Sequence, residues 1–145
     1  MKRTILMVVI LLSLPLAASA QGFKDLDAAL AGLARGFARG ESRAILSGMA
    51  ESDKAELNFP GLVEKKGFFG KDQAAYLLDE LFQKAKPANF EQTNFKKISA
   101  EKICNISGTW TIQPSGTAEQ RELYITLQNN KEDLWTIVSI KSAGR

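Results

Sequence analysis

Lys102-Ile103-Cys104-Asn105-Ile106-Ser107-Gly108-Thr109-Trp110-Thr111-Ile112-Gln113 reads as one long strand. Successive side chains of an extended chain alternate, so Cys104, Ile106, Gly108, Trp110 and Ile112 share one side and Asn105, Ser107, Thr109 and Thr111 the other. One face is apolar and the other polar, as in a sheet with a single buried side. Downstream, Pro114-Ser115-Gly116 supplies a hairpin loop and Leu123, Ile125 and Leu127 alternate in the next strand. Asn129 to Asp133 makes another loop before a last strand from Leu134 to Lys141. Upstream, Asn89 to Ile98 reads as a further strand. Connections this short imply an antiparallel meander, because parallel neighbours need crossovers of a dozen or more residues.

Further upstream the period changes to that of helices. Leu26, Leu30, Leu33 and Phe37 recur at helical spacing and predict a helix from about Asp25 to Arg39, stopped by Gly40. Ile45 and Met49 share a face in a second short helix expected between Glu41 and Ala50. Ala55, Leu57 and Phe59 alternate with Glu56 and Asn58, which predicts a strand within Lys54 to Val63, interrupted by Pro60-Gly61. The clearest helix runs from Asp72 to Lys86, with an apolar stripe of Ala74, Leu77, Leu78, Leu81, Phe82 and Ala85 and a stop at Pro87. Phe68 and Phe69, just before it, are expected to pack beneath its entrance, against the alternative of an exposed contact for a partner or membrane.

The N-terminus has a separate meaning. Lys2 and Arg3 precede an apolar run from Ile5 to Leu16 that ends in Ala17-Ala18-Ser19-Ala20, the order of a secretory signal. Residues 1–20 are expected to be a cleaved signal peptide and residues 21–145 a single domain, secreted or periplasmic. The apolar run is too short to span a bilayer comfortably, and no stable membrane span is expected after cleavage. Gln21 rather than a cysteine follows the expected cut, so no lipid anchor is expected there.

The whole chain carries a net charge of +3, of which Lys2 and Arg3 supply two. Lys65-Lys66 and Lys96-Lys97 read as solvated pairs and no basic stripe extends beyond them, so no nucleic-acid partner is expected. Cys104 is the one cysteine, which excludes an internal disulfide, and its place on the apolar face reads as a small buried hydrophobe. Histidine is absent, which removes imidazole chemistry and leaves no metal-ligand spacing; no metal or cofactor is expected. Asn105-Ile106-Ser107 matches a glycosylation acceptor, but it lies inside a strand.

Two helices, a short strand, a third helix at Lys71-Asp72-Gln73-Ala74-Ala75-Tyr76-Leu77-Leu78-Asp79-Glu80-Leu81-Phe82, and strands at Phe90 to Ile98 and Tyr124 to Leu127 resemble the nuclear transport factor 2-like superfamily. Small exported bacterial members of unknown function are the relatives suggested. The resemblance implies an α+β fold, N-terminal helices packed on a curved, mainly antiparallel, cone-like sheet, with a cavity between sheet and helices.

Phe37, Tyr76, Phe82, Trp110 and Ile112 are the candidates to line that cavity. Trp135 and Ile137 alternate away from Leu134, Val138 and Ile140, which makes the last strand apolar on both sides. They are candidates for a homodimer face, against the alternative that a loop of the same chain covers Trp135. Asp72, Asp79 and Glu80, with Tyr76 or Tyr124, are the groups a histidine-free enzyme would use, yet each carboxylate lies off the apolar stripe and reads as surface; no catalytic residue is assigned. Three functions stay open. The leading one is a non-enzymatic domain binding a small apolar ligand. The others are a structural or assembly domain that dimerises through its sheet, and a carboxylate and tyrosine enzyme.

Overall fold

The computed structural model describes residues 21–98, 100 and 102–143; the expected signal peptide lies outside the described residues. Helix α1 spans Leu26–Arg39. Asp25 caps it by accepting the Ala28 N–H at 2.7 Å, and Asp27 and Arg39 place opposite charges at the ends that favour them. Gly40 stops it in the left-handed region, φ 69°, where a residue without Cβ meets no steric penalty. Ala29, Leu33 and Phe37 form its buried face. Helix α2, Ser42–Leu46, is shorter than expected, because the chain turns at Ser47 and Gly48. The Ser47 hydroxyl donates to the Ala44 carbonyl, which occupies an acceptor the helix would otherwise use.

Strand β1, Lys54–Asn58, buries Ala55 and Leu57, and the turn at Pro60-Gly61 ends the alternation as expected. Strand β2, Gly67–Gly70, corrects the expectation that Phe68 and Phe69 both pack beneath the entrance of the third helix: they lie in an edge strand paired with β1, which sends them to opposite sides. Phe69 packs toward the core, whereas Phe68 points to solvent at 67% exposure. Helix α3, Lys71–Ala85, buries the six residues of the expected stripe. Strands β3 (Pro87–Ile98), β4 (Ile103–Ile112), β5 (Glu119–Asn129) and β6 (Trp135–Ser142) form the expected meander.

The sheet runs β2-β1-β6-β5-β4-β3, antiparallel throughout except where β1 lies parallel to β6. Its inner face, under α1 and α3, carries Leu57, Cys104, Ile106, Trp110, Ile112, Leu123, Ile125, Leu127 and Ile140, all buried. Gly108 sits among them because a Cβ there would lie 2.5 Å from the Phe90 ring. The outer face carries Glu56, Asn105, Thr109, Glu122, Tyr124, Thr126 and Lys141.

Trp135 and Ile137 require the second correction. Thr126 pairs with Ser139 but Leu127 with Ile137, so Val138 is an extra residue in β6. A bulge of this kind shifts the alternation by one. Trp135 and Ile137 therefore share the inner face with Ile140, and Trp135 is only 7% exposed. Its backbone is paired by the segment before α1, where Phe23 N–H donates to Trp135 O at 2.8 Å and Trp135 N–H to Phe23 O at 2.9 Å, and the Lys97 ammonium lies over its ring, 5.8 Å from the centroid. Neither residue can form a surface for a second copy.

Candidate functional site

The space between the sheet and the helices is where a ligand was expected. Five aromatic rings meet in it, one from each of α1 (Phe37), the turn after β1 (Phe59), α3 (Phe82), β3 (Phe90) and β4 (Trp110). Phe37 stands at the centre, 5.4 Å from Trp110, 5.8 Å from Phe82, 6.0 Å from Phe90 and 6.5 Å from Phe59 between ring centroids. Phe59 and Phe82 also meet Trp110, at 6.4 and 6.3 Å, edge toward face. These are contact distances for aromatic groups. All five are buried, and Ile112 is buried with them. The rings fill the space.

Of the five candidates for a cavity lining, Phe37, Phe82, Trp110 and Ile112 are thus brought together. Tyr76 is not: it is 81% exposed, about 100° around the helix from Leu77 and nearly opposite the middle of the buried stripe. It lines an open groove of about 260 Å³ with Lys65, Phe69, Gln73, Leu77 and Glu80. That groove depends on β2, a strand too short and too glycine-rich to show periodicity.

The end of the aromatic cluster is closed by polar groups, among them Arg121, which is in step with Leu123, Ile125 and Leu127 on the apolar face. Arg121, on the inner face of β5, is almost fully buried; its Nε donates to Glu119 Oε1 at 2.8 Å and its Nη1 to the Pro60 carbonyl. The arginine thereby fastens the turn after β1, in which the Leu62 and Val63 amides both donate to Phe59 O at 3.1 Å. Leu62 and Val63 are buried by that turn.

The groups suited to carboxylate chemistry lie elsewhere. Asp72 is exposed in the first turn of α3, where its charge complements the helix end. Asp79 accepts the Ser42 hydroxyl at 2.6 Å and so ties α3 to α2. Glu80 takes Lys84 Nζ at 2.8 Å, and that hydrogen bond holds its carboxyl below the usual range. Tyr124 is 53% exposed on the outer face of the sheet. None of these groups reaches the aromatic cluster. Cys104 is buried, which pushes its thiol pKa up, and Lys97 opposes that shift only in part. Among the described residues no group of three or more acidic or sulfur ligands gathers as a metal site would need, and no helix is long and apolar enough to cross a membrane.

Solved structures share this arrangement of helices on an open, curved sheet. An NTF-2-like protein of unknown function from Shewanella oneidensis MR-1 matches with a TM-score of 0.60 at 15% identity, covering 83% of this chain and 98% of its own. The fold is nuclear transport factor 2-like. The nuclear transport factor 2-like architecture here is also similar to a DUF4783 family protein from Bacteroides ovatus, with a TM-score of 0.65 and 21% identity over 79% of this chain and 93% of that one. A DUF4783 family protein from Bacteroides fragilis gives 0.64 and 17% over 79% and 95%. No protein-family model and no curated protein matches the chain. The nuclear transport factor 2-like fold hosts different functions, so it specifies where a site can lie and not what the site does.

Proposed function

We propose that the domain is an exported, non-enzymatic assembly module that pairs with a second copy of itself through the outer face of its sheet. The observation that carries this reading is the filled interior. A small apolar ligand there would have to displace rings that already contact one another, which costs the packing they provide. A carboxylate-based reaction would need an available acid inside the cluster; Asp72, Asp79 and Glu80 stand outside it, and Glu119 at its end is paired with Arg121.

The outer face has the character of a self-complementary surface. Tyr124 stands exposed near its middle, Thr126 and Asn105 are joined at 3.1 Å, and Lys141 pairs with Glu56 at 3.1 Å. Glu91, Lys96 and Glu122 add both signs of charge around them. A twofold interface brings the same patch against itself, so mixed charge and an amphipathic aromatic suit it better than charge of one sign. Among the described residues α1 and α3 cover the inner face and no element covers the outer one.

Sedimentation velocity over a range of concentrations tests the reading. The wild-type protein should shift toward a dimer, and Tyr124→Arg, which places like charges opposite each other across a twofold axis, should stay monomeric with an unchanged melting curve. A monomeric wild type, or a Tyr124→Arg variant that dimerises equally well, would remove the proposal.

A further inference from the structure

The two edges of the sheet are unlike. β3 carries Glu91, Lys96 and Lys97 and a register shift between Gln92 and Asn94. Charges and bulges are the devices by which sheets discourage an added strand. β2, at the other edge, is Gly67-Phe68-Phe69-Gly70, without a charge and in unbroken register with β1. Its backbone is also turned outward. Gly70 N–H donates to Gln73 Oε1 at 3.3 Å rather than to β1. Alternation along an antiparallel strand then directs the N–H and C=O of Phe68 to the free side as well. The groove between β2 and α3 runs beside this edge, with Phe69 and Leu77 among its walls and Tyr76 exposed at its rim.

We propose that the β2 edge takes up a short extended peptide as an added strand, one that carries an apolar side chain for the groove and acidic residues beside it. Backbone hydrogen bonds to Phe68 supply register, and alternate side chains of the peptide fall against Phe69, Tyr76 and Leu77 on one side and near Phe68 on the other. The size of the site selects this occupant. Four residues of edge and a groove of about 260 Å³ suit a peptide, whereas a stable pair of folded copies buries roughly 1,200 Å² or more. Charge selects its flanks. Lys65 and Lys66 are exposed just before β2, and with Lys84 they outnumber Glu64 and Glu80 near the groove. Phe68 borders the outer face beside Glu56, but the groove of Phe69, Tyr76 and Leu77 lies on the other side of the edge from Tyr124, so either site can fail alone.

A displayed library of random octapeptides, selected on the mature protein, tests the proposal. Enriched peptides should place Asp or Glu beside an apolar residue. A synthetic copy should bind in a fluorescence anisotropy titration, and Tyr76→Ala and Lys65→Glu should each weaken it about tenfold, a change of about 1.4 kcal/mol. Both side chains are exposed, so melting curves should not move. N-methylation of the peptide at one alternate set of amides should abolish binding, and at the other set should leave it. The Tyr124→Arg variant should bind as wild type does. Failure to enrich any peptide, equal binding by both groove variants, equal binding of both N-methylated forms, or loss of binding in Tyr124→Arg would each overturn the assignment.

Discussion

Trp110 and Phe37 are joined twice: the indole Nε1–H donates to the Phe37 carbonyl at 2.8 Å, and the two rings meet edge to face at 80° with centroids 5.4 Å apart. That carbonyl belongs to the last turn of α1, where helix acceptors have no partner within the helix. A sheet residue thus finishes the helix while packing against it.

Trp110→Phe keeps an aromatic ring and removes the donor, leaving a buried carbonyl unpaired. It should cost about 1–3 kcal/mol, and Trp110→Ala about 3–5 kcal/mol, in urea denaturation. Equal midpoints for Trp110→Phe and wild type would show that the hydrogen bond contributes nothing.

Leu81 is fully buried in the face that α3 presents to the core. Leu81→Ala should cost about 2–5 kcal/mol, because the neighbouring rings cannot fully close the space left behind. Calorimetric melting would detect the loss, and an unshifted transition would contradict the packing.

Phe23 rests against Gly48, where an added Cβ would lie 2.1 Å from the ring. Gly48→Ala should therefore push Phe23 away from Trp135 and destabilise the domain by about 1–3 kcal/mol. Tryptophan emission should shift to the red as Trp135 meets water. Trp135→Glu should reduce folding rather than association, since it removes a buried ring and puts a charge in its place; a well-folded Trp135→Glu protein would reverse that conclusion.

Cys104 gives a pH dependence with a definite sign. Burial raises the folded thiol pKa, whereas in the unfolded chain the thiol ionises near about 8.5. Above that pH the unfolded state releases a proton that the native state retains, so stability falls as the pH rises; below it this contribution is complete. Urea midpoints at pH 7 and pH 10 should diverge more for wild type than for Cys104→Ala. A thiol reagent at neutral pH should label Cys104 only on unfolding.

Much of this fold was legible because most elements keep a single period along their length. Leu26 to Phe37 and Ala74 to Ala85 keep helical spacing, and Cys104 to Ile112 keeps strict alternation. Legibility failed where a period was broken or too short to exist. Val138 inserts one residue into β6, and a reading that assumed unbroken alternation put Trp135 and Ile137 on the wrong face. Gly67-Phe68-Phe69-Gly70 is too brief for a pattern, so the edge strand and the groove beside it were missed. Tyr76 was a different failure: its position off the stripe of Leu77 and Leu81 already placed it outside the core. Arg121 is in step with Leu123, Ile125 and Leu127, so alternation already placed it on the apolar face; what no local pattern could show is the distant acceptor, the Pro60 carbonyl, that lets a charge stay there.

The parallel pairing of β1 with β6 brings the end of the chain into the middle of the sheet, where Leu57 lies beside Ile140. Synthesis and folding consequently run in different orders. Until β6 is in place, the hairpin of β1 and β2 and the meander of β3 to β5 are two fragments of sheet, each with a bare inner edge, bridged only by the helices that pack on them. Such distant closures make folding slow and concentrate it at the end. The sheet therefore closes as a keystone closes an arch: β6 is held on both sides at once, and loosening it would part the hairpin from the meander rather than fray one edge.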